Sequence, residues 1–232
     1  MNYPSELIPA TWIKRYKRFL VDIAFSDGTT STAHCPNTGT MLGINTPGSP
    51  CLVLRSDNPK RKLGYTLEAV QADGIWVGAH PIRANAIARE AFESGLIQDL
   101  EGIVDVRGEV RYGVNSRADW VVEVARGPRW VIEVKSASMK QGRVSMFPDA
   151  KTAWGLKHLN ELIEVVREGQ RAMMLFVATR HDVQEFAPAS SIDPAYAARL
   201  ADAANAGVVL RALTSRVSPT QMVPERLIPV RL

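Results

Sequence analysis

The sequence predicts a small antiparallel β-barrel followed by an α/β domain with a mixed sheet. Two observations carry this prediction. Residues 15–80 consist of short apolar runs separated by turn sequences, whereas later residues alternate helical periodicity with strand-like runs. A chain of 232 residues is long enough for two small domains, and we expect them at 1–81 and 82–232. Because no Gly/Ser-rich linker separates them, we expect the two domains to pack together firmly.

The first half predicts the barrel through its turns. Asp27-Gly28 and Asp73-Gly74 each separate two apolar runs, which is a strong signal for a β-hairpin. Five short antiparallel strands favour a closed or partly open barrel, of which the oligonucleotide-binding (OB) fold is a frequent example. A β-sandwich fragment is the competing architecture. The strand-like runs are 18–25, 29–34, 51–55, 63–70 and 75–79.

The second half predicts a mixed sheet with helices on its faces. Its helical segments are amphipathic, and a glycine follows each of them, as is typical of helix ends. The predicted helices are 82–93, 150–168 and 195–206, and the predicted strands are 104–112, 119–124, 130–135, 173–178 and 208–210.

Composition excludes several classes of protein. A hydrophobic content of 46% indicates a globular protein, and no apolar run approaches the length of about 18 residues that a spanning helix needs. The net charge of +4 is compatible with nucleic-acid binding but too small to predict it. Cys35 and Cys51 lack metal-type spacing, and no secretory leader precedes Leu7. We therefore expect a cytoplasmic protein with reduced thiols and no membrane insertion.

Two carboxylates and a lysine form the most informative pattern. Asp119 opens one predicted strand, and Glu133 and Lys135 share one face of the next, because strand side chains alternate. Two carboxylates can bind Mg²⁺ and leave room for water and phosphate, and an ammonium group can offset charge on the phosphate. The pattern predicts phosphodiester hydrolysis. The alternative is that Asp119 ends a turn and the other two lie on a solvated strand face.

Two basic clusters are candidates for phosphate contacts. The first, residues 14–18, is expected at the entrance to the first strand, with Trp12 or Tyr16 available for stacking on bases. The second is residues 60–62, with Arg55 nearby. Since neither helix-turn-helix nor zinc-finger spacing is present, we expect no base-specific recognition. The alternative is that these cations are ordinary solvated sheet edges. The candidate DNA-binding residues are Arg15, Lys17, Arg18, Arg55, Lys60, Arg61 and Lys62.

Several ordered segments together resemble one family, that of the sugar fermentation stimulation protein A (SfsA). The resemblance spans nearly the whole chain, which makes it far more specific than the carboxylate spacing alone. The matching segments are Cys35-Pro36-Asn37-Thr38-Gly39-Thr40-Met41, Asn58-Pro59-Lys60-Arg61-Lys62-Leu63, Tyr65-Thr66-Leu67-Glu68, Tyr112-Gly113, Ser116-Arg117-Ala118-Asp119, Glu133-Val134-Lys135-Ser136, Phe147-Pro148-Asp149-Ala150 and Lys157-His158-Leu159.

The resemblance implies an N-terminal OB-like barrel, a C-terminal domain similar to the PD-(D/E)xK nucleases, and DNA binding with little sequence preference. It also implies a regulatory link to sugar metabolism, notably that of maltose. By residue, it implies that Asp119 and Glu133 bind the metal and that Lys135 is catalytic. A further acidic ligand is expected at Glu90 on the preceding helix or at Glu109 on the preceding strand.

The helix after this core supplies two further candidates. Lys157 and His158 are expected to reach the scissile phosphate, His158 as a proton donor. The alternative for His158 is a helix-surface position near Asp149. The chain departs from the family pattern at two places, with His80-Pro81 where Asn-Thr is common and Trp154 where an arginine commonly precedes Gly155.

The sequence thus predicts a cytoplasmic DNA-binding protein that hydrolyses phosphodiesters with Mg²⁺ or Mn²⁺. A noncatalytic DNA-binding regulator is the alternative function, and a binder of a small phosphorylated ligand is a third. The sequence leaves a homo-oligomer open, because no self-complementary patch is evident in it.

Overall fold

The computed structural model describes residues 1–112 and 116–232, and the side chain of Ser116 is not among the described atoms. Gly113, which belongs to one of the family-like segments, lies outside the described residues. Within this part of the chain, the predicted combination of an OB-like barrel and a mixed-sheet α/β domain is confirmed. No described helix is long and apolar enough to cross a membrane.

The barrel is built from six strands in the order β3-β2-β1-β4-β5-β6. A parallel bridge between His34 and Thr66 joins β3 to β5, so that β1 to β5 close on themselves and β6 extends the sheet from β5. Closure removes the exposed sheet edges that would otherwise pair with other chains. The strands are β1 Ile8–Tyr16, β2 Leu20–Ala24, β3 Thr30–His34, β4 Pro50–Arg55, β5 Tyr65–Ala72 and β6 Ile75–Gly78.

Local turn chemistry explains both predicted hairpins, which are confirmed. Between β2 and β3, the backbone N–H of Thr29 donates to Asp27 Oδ1 at 2.9 Å, and Gly28 adopts a φ of 85°. Between β5 and β6, Asp73 and Gly74 have φ values of 53° and 79°, the left-handed pair that a two-residue turn requires.

The start of the barrel corrects the sequence prediction. Strand β1 was not predicted, and the basic cluster 14–18 lies at its end, not at the entrance to the first strand. Lys17 and Arg18 form the β1–β2 turn, with φ values of 47° and 64°, where glycine or asparagine is usual. Trp12 is only 1% exposed and is therefore unavailable for stacking on bases.

The C-terminal domain contains a six-stranded sheet in the order β15-β14-β12-β9-β8-β7. The central strands β9, β12 and β14 are parallel, as expected for a sheet covered by helices, and the flanking strands pair antiparallel. The strands of this sheet are β7 Ile103–Tyr112, β8 Ser116–Val124, β9 Trp130–Ala137, β12 Arg171–Ala178, β14 Val209–Val217 and β15 Met222–Ile228. The helices are α1 Arg83–Glu93, α2 Ala153–Arg167 and α3 Pro194–Asn205. A short 3-10 turn spans Gln98–Leu100.

Two features of this domain were missed. A separate three-stranded sheet joins β10 Met139–Gln141, β11 Val144–Phe147 and β13 Glu185–Pro188, and the antiparallel strand β15 was not predicted. Helix α2 begins at Ala153 and not at 150, because Thr152 has extended backbone and its hydroxyl accepts from the Gly155 N–H at 3.0 Å.

The two halves share one hydrophobic core. Leu52 and Ala69 of the barrel pack in the same buried cluster as Ile87 and Phe92 of α1. The N-terminal segment also reaches across, since the Tyr3 N–H donates to Thr220 O at 3.0 Å. The prediction of domains at 1–81 and 82–232 stays a prediction, although β6 ends and α1 begins close to this boundary.

Polar contacts reinforce the junction at two separate points. Arg83 of α1 donates to both carboxylate oxygens of Glu68 on β5, at 2.9 and 2.7 Å, and the Glu68 side chain is fully buried. The guanidinium of Arg180 bonds to Asp73 in the β5–β6 turn at 2.7 Å and to Asp182 of its own domain at 2.6 Å. Breaking the Arg83–Glu68 pair would leave an uncompensated charge on the fully buried Glu68, whereas Asp73 is half-exposed.

Candidate functional site

Strand pairing brings the three predicted residues Asp119, Glu133 and Lys135 together. Strands β8 and β9 form a hairpin in which Trp120 pairs with Ile132, so the register sets Asp119 beside Glu133. Asp119 Oδ2 accepts from the Val134 N–H at 2.7 Å, which anchors it between the other two residues along β9. The alternative interpretation, in which these side chains lie on a solvated face, does not match this arrangement.

Asp119 is fixed by neutral donors. Besides Val134, Asn85 of α1 donates from Nδ2 to Asp119 Oδ1 at 2.9 Å. Burial raises the pKa of Asp119, and the nearby negative charge of Glu133 raises it further. A carboxylate whose pKa is raised by burial and by a neighbouring carboxylate is a candidate for a functional site.

Glu133 is 3% exposed and is surrounded by positive groups. Lys135 Nζ donates to Glu133 Oε1 at 2.7 Å, and His158 Nδ1 contacts the same oxygen. Burial raises the pKa of Glu133, but the hydrogen bond from His158 and the charge of Lys135 outweigh it, so the pKa is lowered. Glu133 Oε2 is buried and has no hydrogen-bond partner among the described residues. Glu133 is therefore ionised and retains one oxygen free to accept.

Only one of the two α2 candidates joins this cluster. His158 Nδ1 lies 2.9 Å from Lys135 Nζ in addition to its contact with Glu133. Lys157 instead forms an ion pair with Glu161 at 3.6 Å, and its Nζ lies 5.2 Å from the centre of the Trp154 ring. The helix thus directs His158 toward the acidic residues and Lys157 toward Trp154.

The two candidates for a third acidic ligand have other surroundings. Among residues 1–112 and 116–232, no three His, Cys, Asp or Glu side chains gather as a metal site. Glu90 pairs with the N-terminal ammonium group of Met1. Glu109 is exposed on β7, with a φ of 55°. The α1 side chain that contacts Asp119 is Asn85, which sequence reasoning missed; its only signal was a polar residue beside the buried helix positions.

A cavity of about 460 Å³ lies between the domains and reaches this site. Its walls come from the barrel, through Arg18 and the 37–39 loop, and from the C-terminal domain, through Lys135, Lys151 and Trp154. The loop is fixed because Asp149 Oδ2 accepts from the Met41 N–H at 2.7 Å. A Cβ on Gly39 would lie 2.3 Å from Asp149 Oδ1, so only glycine fits this approach.

Arg15 holds the backbone of the loop that lines the cavity. Its guanidinium donates to the carbonyl oxygens of Arg18, Asn37 and Gly39 at 2.8, 2.6 and 2.9 Å. These bonds organise the loop that lines the cavity. In this structure Arg15 therefore has a structural task, whereas Lys17 and Arg18 project from the adjoining turn with exposed side chains.

The second basic cluster lies apart from the cavity. Arg55, Lys60, Arg61 and Lys62 are all exposed, and none of them lines the cavity between the domains. Arg61 donates from Nη2 to Thr66 Oγ1 at 3.0 Å, which ties its loop to β5. The predicted phosphate contacts of both clusters stay predictions.

Comparison with known proteins connects this geometry to one family. The family model for the sugar fermentation stimulation protein RE domain matches residues 82–221, and that for the SfsA N-terminal OB domain matches residues 13–79. A sugar fermentation stimulation protein homolog of Maricaulis maris is 46% identical over 100% of this chain and 99% of its own length. A homolog of Geotalea uraniireducens is 48% identical over 94% of both chains.

A solved structure extends the comparison to three dimensions. The structure of SfsA from Pyrococcus furiosus in complex with Ca²⁺ superposes with a TM-score of 0.89 at 28% identity, covering 100% of this chain and 98% of that one. Barrel and mixed-sheet domain therefore occur together in a protein of the same length range.

Proposed function

This chain is a member of the sugar fermentation stimulation protein family, and we propose that it binds DNA and hydrolyses phosphodiester bonds with the help of a divalent metal ion. The observation that carries the proposal is the convergence of Asp119, Glu133 and Lys135 beside a cavity bounded by both domains. Sequence-independent DNA binding is part of the proposal, since the exposed cations offer phosphate contacts and no element suggests base readout.

The residues present fit a divalent cation. Within the part of the chain that the structure describes, Glu133 Oε2 is buried and unpaired, and the pKa of Asp119 is raised by burial and by Glu133. Both groups are hard oxygen ligands, which Mg²⁺ and Mn²⁺ favour. The Pyrococcus furiosus relative was solved in complex with Ca²⁺, which supports the binding of a divalent cation by this chain. When bound, such an ion supplies Lewis acidity toward the phosphate and lowers the pKa of coordinated water.

The remaining side chains have separate roles. Lys135 lies 2.7 Å from Glu133 and lines the cavity, so its ammonium orients water and offsets negative charge on the phosphate. His158 uses Nδ1 for its contact with Glu133, which leaves Nε2 to exchange a proton with the leaving oxygen. Arg18 and Lys151 on the cavity walls attract the flanking phosphates.

The proposal also includes a cellular location and a regulatory role. Cys35 and Cys51 are both free and buried, which supports a reducing, cytoplasmic location. The family description refers to sugar fermentation, and we extend the proposal to a regulatory role in sugar metabolism, notably that of maltose, as the resemblance implies.

One observation favours a second candidate, a noncatalytic DNA-binding regulator. Glu133 Oε1 is already occupied by Lys135 and His158, and the described residues contain no three-ligand metal group. A cation would then have two carboxylates and few further protein ligands. In this alternative the acidic residues stabilise the hairpin and the cations alone bind DNA.

A cleavage assay separates the two functions. Supercoiled and linear DNA are incubated with the protein in Mg²⁺, Mn²⁺ or EDTA, alongside Asp119→Ala, Lys135→Ala and the control Asp105→Ala, whose carboxylate is 48% exposed on β7. Cleavage that requires metal, vanishes in the first two variants and persists in the control supports the enzyme. A salt-sensitive gel shift without cleavage supports the regulator, and neither shift nor cleavage contradicts both.

A further inference from the structure

Trp154 is a large apolar side chain in an unusual position. Its side chain is 69% exposed, although indole is normally buried to a large degree. It lies in the first turn of α2 and bounds the cavity between the domains. The exposed indole therefore faces the region where a nucleic-acid strand would approach the acidic residues.

We propose that Trp154 is a stacking platform for an unpaired nucleobase, so that the preferred substrate is single-stranded or locally unpaired next to the attacked phosphate. This inference rests on the proposed function. Base stacking on an exposed aromatic ring is the usual way in which proteins hold single strands without reading sequence. In a paired duplex each base face is covered by its neighbours, and only an unpaired base offers a free face.

The surroundings of the indole have the charge that this ligand needs. Lys157 Nζ lies over one face of the indole, 5.2 Å from the ring centroid, so a base would stack on the opposite face. Lys151 precedes the helix with an exposed side chain. Cations beside a stacking ring can contact the phosphates on either side of the stacked base. Arg18 lines the opposite wall of the same cavity, so both walls are cationic.

Helix α2 sets the distance between Trp154 and the residues at the acidic site. Trp154 and His158 are four residues apart, about 6 Å along the helix axis, and their ring centroids are 6.4 Å apart. His158 in turn contacts Glu133. A base stacked on Trp154 would therefore belong to a nucleotide adjacent to the phosphate at the acidic residues.

Binding measurements in EDTA, where cleavage is blocked, test the proposal. Fluorescence anisotropy compares a labelled 15-nucleotide single strand, its duplex and single strands that carry one abasic position moved along the chain. The proteins are the wild type, Trp154→Ala, Trp154→Phe and a control, Val104→Ala, whose side chain is 68% exposed on β7.

We expect Trp154→Ala to weaken single-strand binding by about fivefold to a hundredfold and duplex binding by less than about twofold. Trp154→Phe should retain most of the affinity, and Val104→Ala all of it. One abasic position should weaken the wild type, and none should weaken Trp154→Ala further.

Three results overturn the inference in distinguishable ways. Single-strand binding by Trp154→Ala that equals the wild type removes the platform and leaves the proposed function standing. Absence of salt-sensitive binding of the wild type to any DNA removes both. Equal losses on single strand and duplex in both Trp154 variants also contradict the proposal, because stacking on an unpaired base would affect them unequally.

Discussion

The acidic site and the basic surfaces of this protein use charge in opposite ways. At the acidic site, Glu133 is buried and Asp119 is half-buried, and each is held by hydrogen bonds from named donors. On the basic surfaces, Lys60 and Lys62 are exposed, and no ion pair is described for either of them. The acidic geometry is set by the sheet, whereas the exposed cations are solvated and contribute little to stability.

A run of charged residues in the sequence does not indicate which role each of its side chains has in the structure. Within the cluster 14–18, the Arg15 guanidinium donates hydrogen bonds to three backbone carbonyl oxygens, whereas Arg18 lines the cavity. The acidic residues, by contrast, were identified by their strand spacing, because strand alternation fixes which side chains share a face. Substitutions at the two kinds of site should therefore differ in kind as well as in size.

The largest effect is expected at Lys135. Lys135→Met removes the ammonium that lies 2.7 Å from Glu133, and metal-dependent cleavage should slow by about 100-fold to 1000-fold, because charge on the phosphate is no longer offset. Steady-state cleavage rates of labelled DNA provide the measurement. Arg167→Met, a change in a cation at the far end of α2, is the control and should cleave normally. A normal rate in Lys135→Met would remove this residue from the reaction.

The next effect concerns stability at the junction of the domains. Arg83→Met leaves the fully buried carboxylate of Glu68 without its partner and should lower the free energy of unfolding by about 3 kcal/mol. Arg167→Met breaks an exposed pair with Glu164 and should cost less than about 0.5 kcal/mol. Urea denaturation measures both. Similar costs for the two variants would contradict the distinction between buried and exposed charge.

A smaller effect is expected on the outer basic surface. Substitution of Lys60, Arg61 and Lys62 by glutamine should reduce the salt dependence of DNA binding by about one slope unit for each phosphate that the loop no longer neutralises. Affinity measured between low and moderate salt gives this slope. An unchanged slope would exclude the loop from the DNA-binding surface. Arg18→Gln provides the matched change beside the cavity, where we also expect a lower slope.

The smallest effect is a pH dependence at His80. Burial lowers the pKa of His80 to about 4, so the folded protein holds the imidazole neutral while the unfolded chain binds a proton below about 6.5. The unfolded state therefore binds more protons in this window, and stability falls as the pH drops from 6.5 toward 4. We expect a loss of about 1–2 kcal/mol, less than the roughly 3 kcal/mol of the full pKa difference, because His80 is only half-buried and solvent screens its charge. His80→Gln should abolish this loss. Urea midpoints between pH 4 and 7.5 test it, and parallel curves for the two proteins would refute it.

Local signals predicted the hairpins, the helices and the acidic site, while contacts distant in sequence escaped prediction. The turns at Asp27-Gly28 and Asp73-Gly74 encode their hairpins within a few residues. Strand β1 buries only Ala10 and Trp12 and leaves Ile13 exposed, so its hydrophobic alternation is too short to detect. The small sheet depends on parallel pairing between β11 and β13, which no local pattern specifies.

The acidic site likewise contains contacts that local sequence predicts and contacts that it does not. Asp119, Glu133 and Lys135 lie on adjacent strands of one hairpin, and the sequence predicts their meeting. Asn85 and Asp149 reach the site or its cavity from distant segments, 34 residues from Asp119 and 108 residues from Met41. Such contacts are decided by how the domains pack, and a single sequence contains no local signal for them.

Calorimetric titration with Mn²⁺ shows whether the carboxylates of Asp119 and Glu133 hold a divalent ion, on which the proposed hydrolysis depends. We expect saturable binding of Mn²⁺ to the wild type and its loss in both Asp119→Asn and Glu133→Gln, with Asp105→Asn unaffected. Binding that is equal in all four proteins, or absent from the wild type, would contradict this expectation.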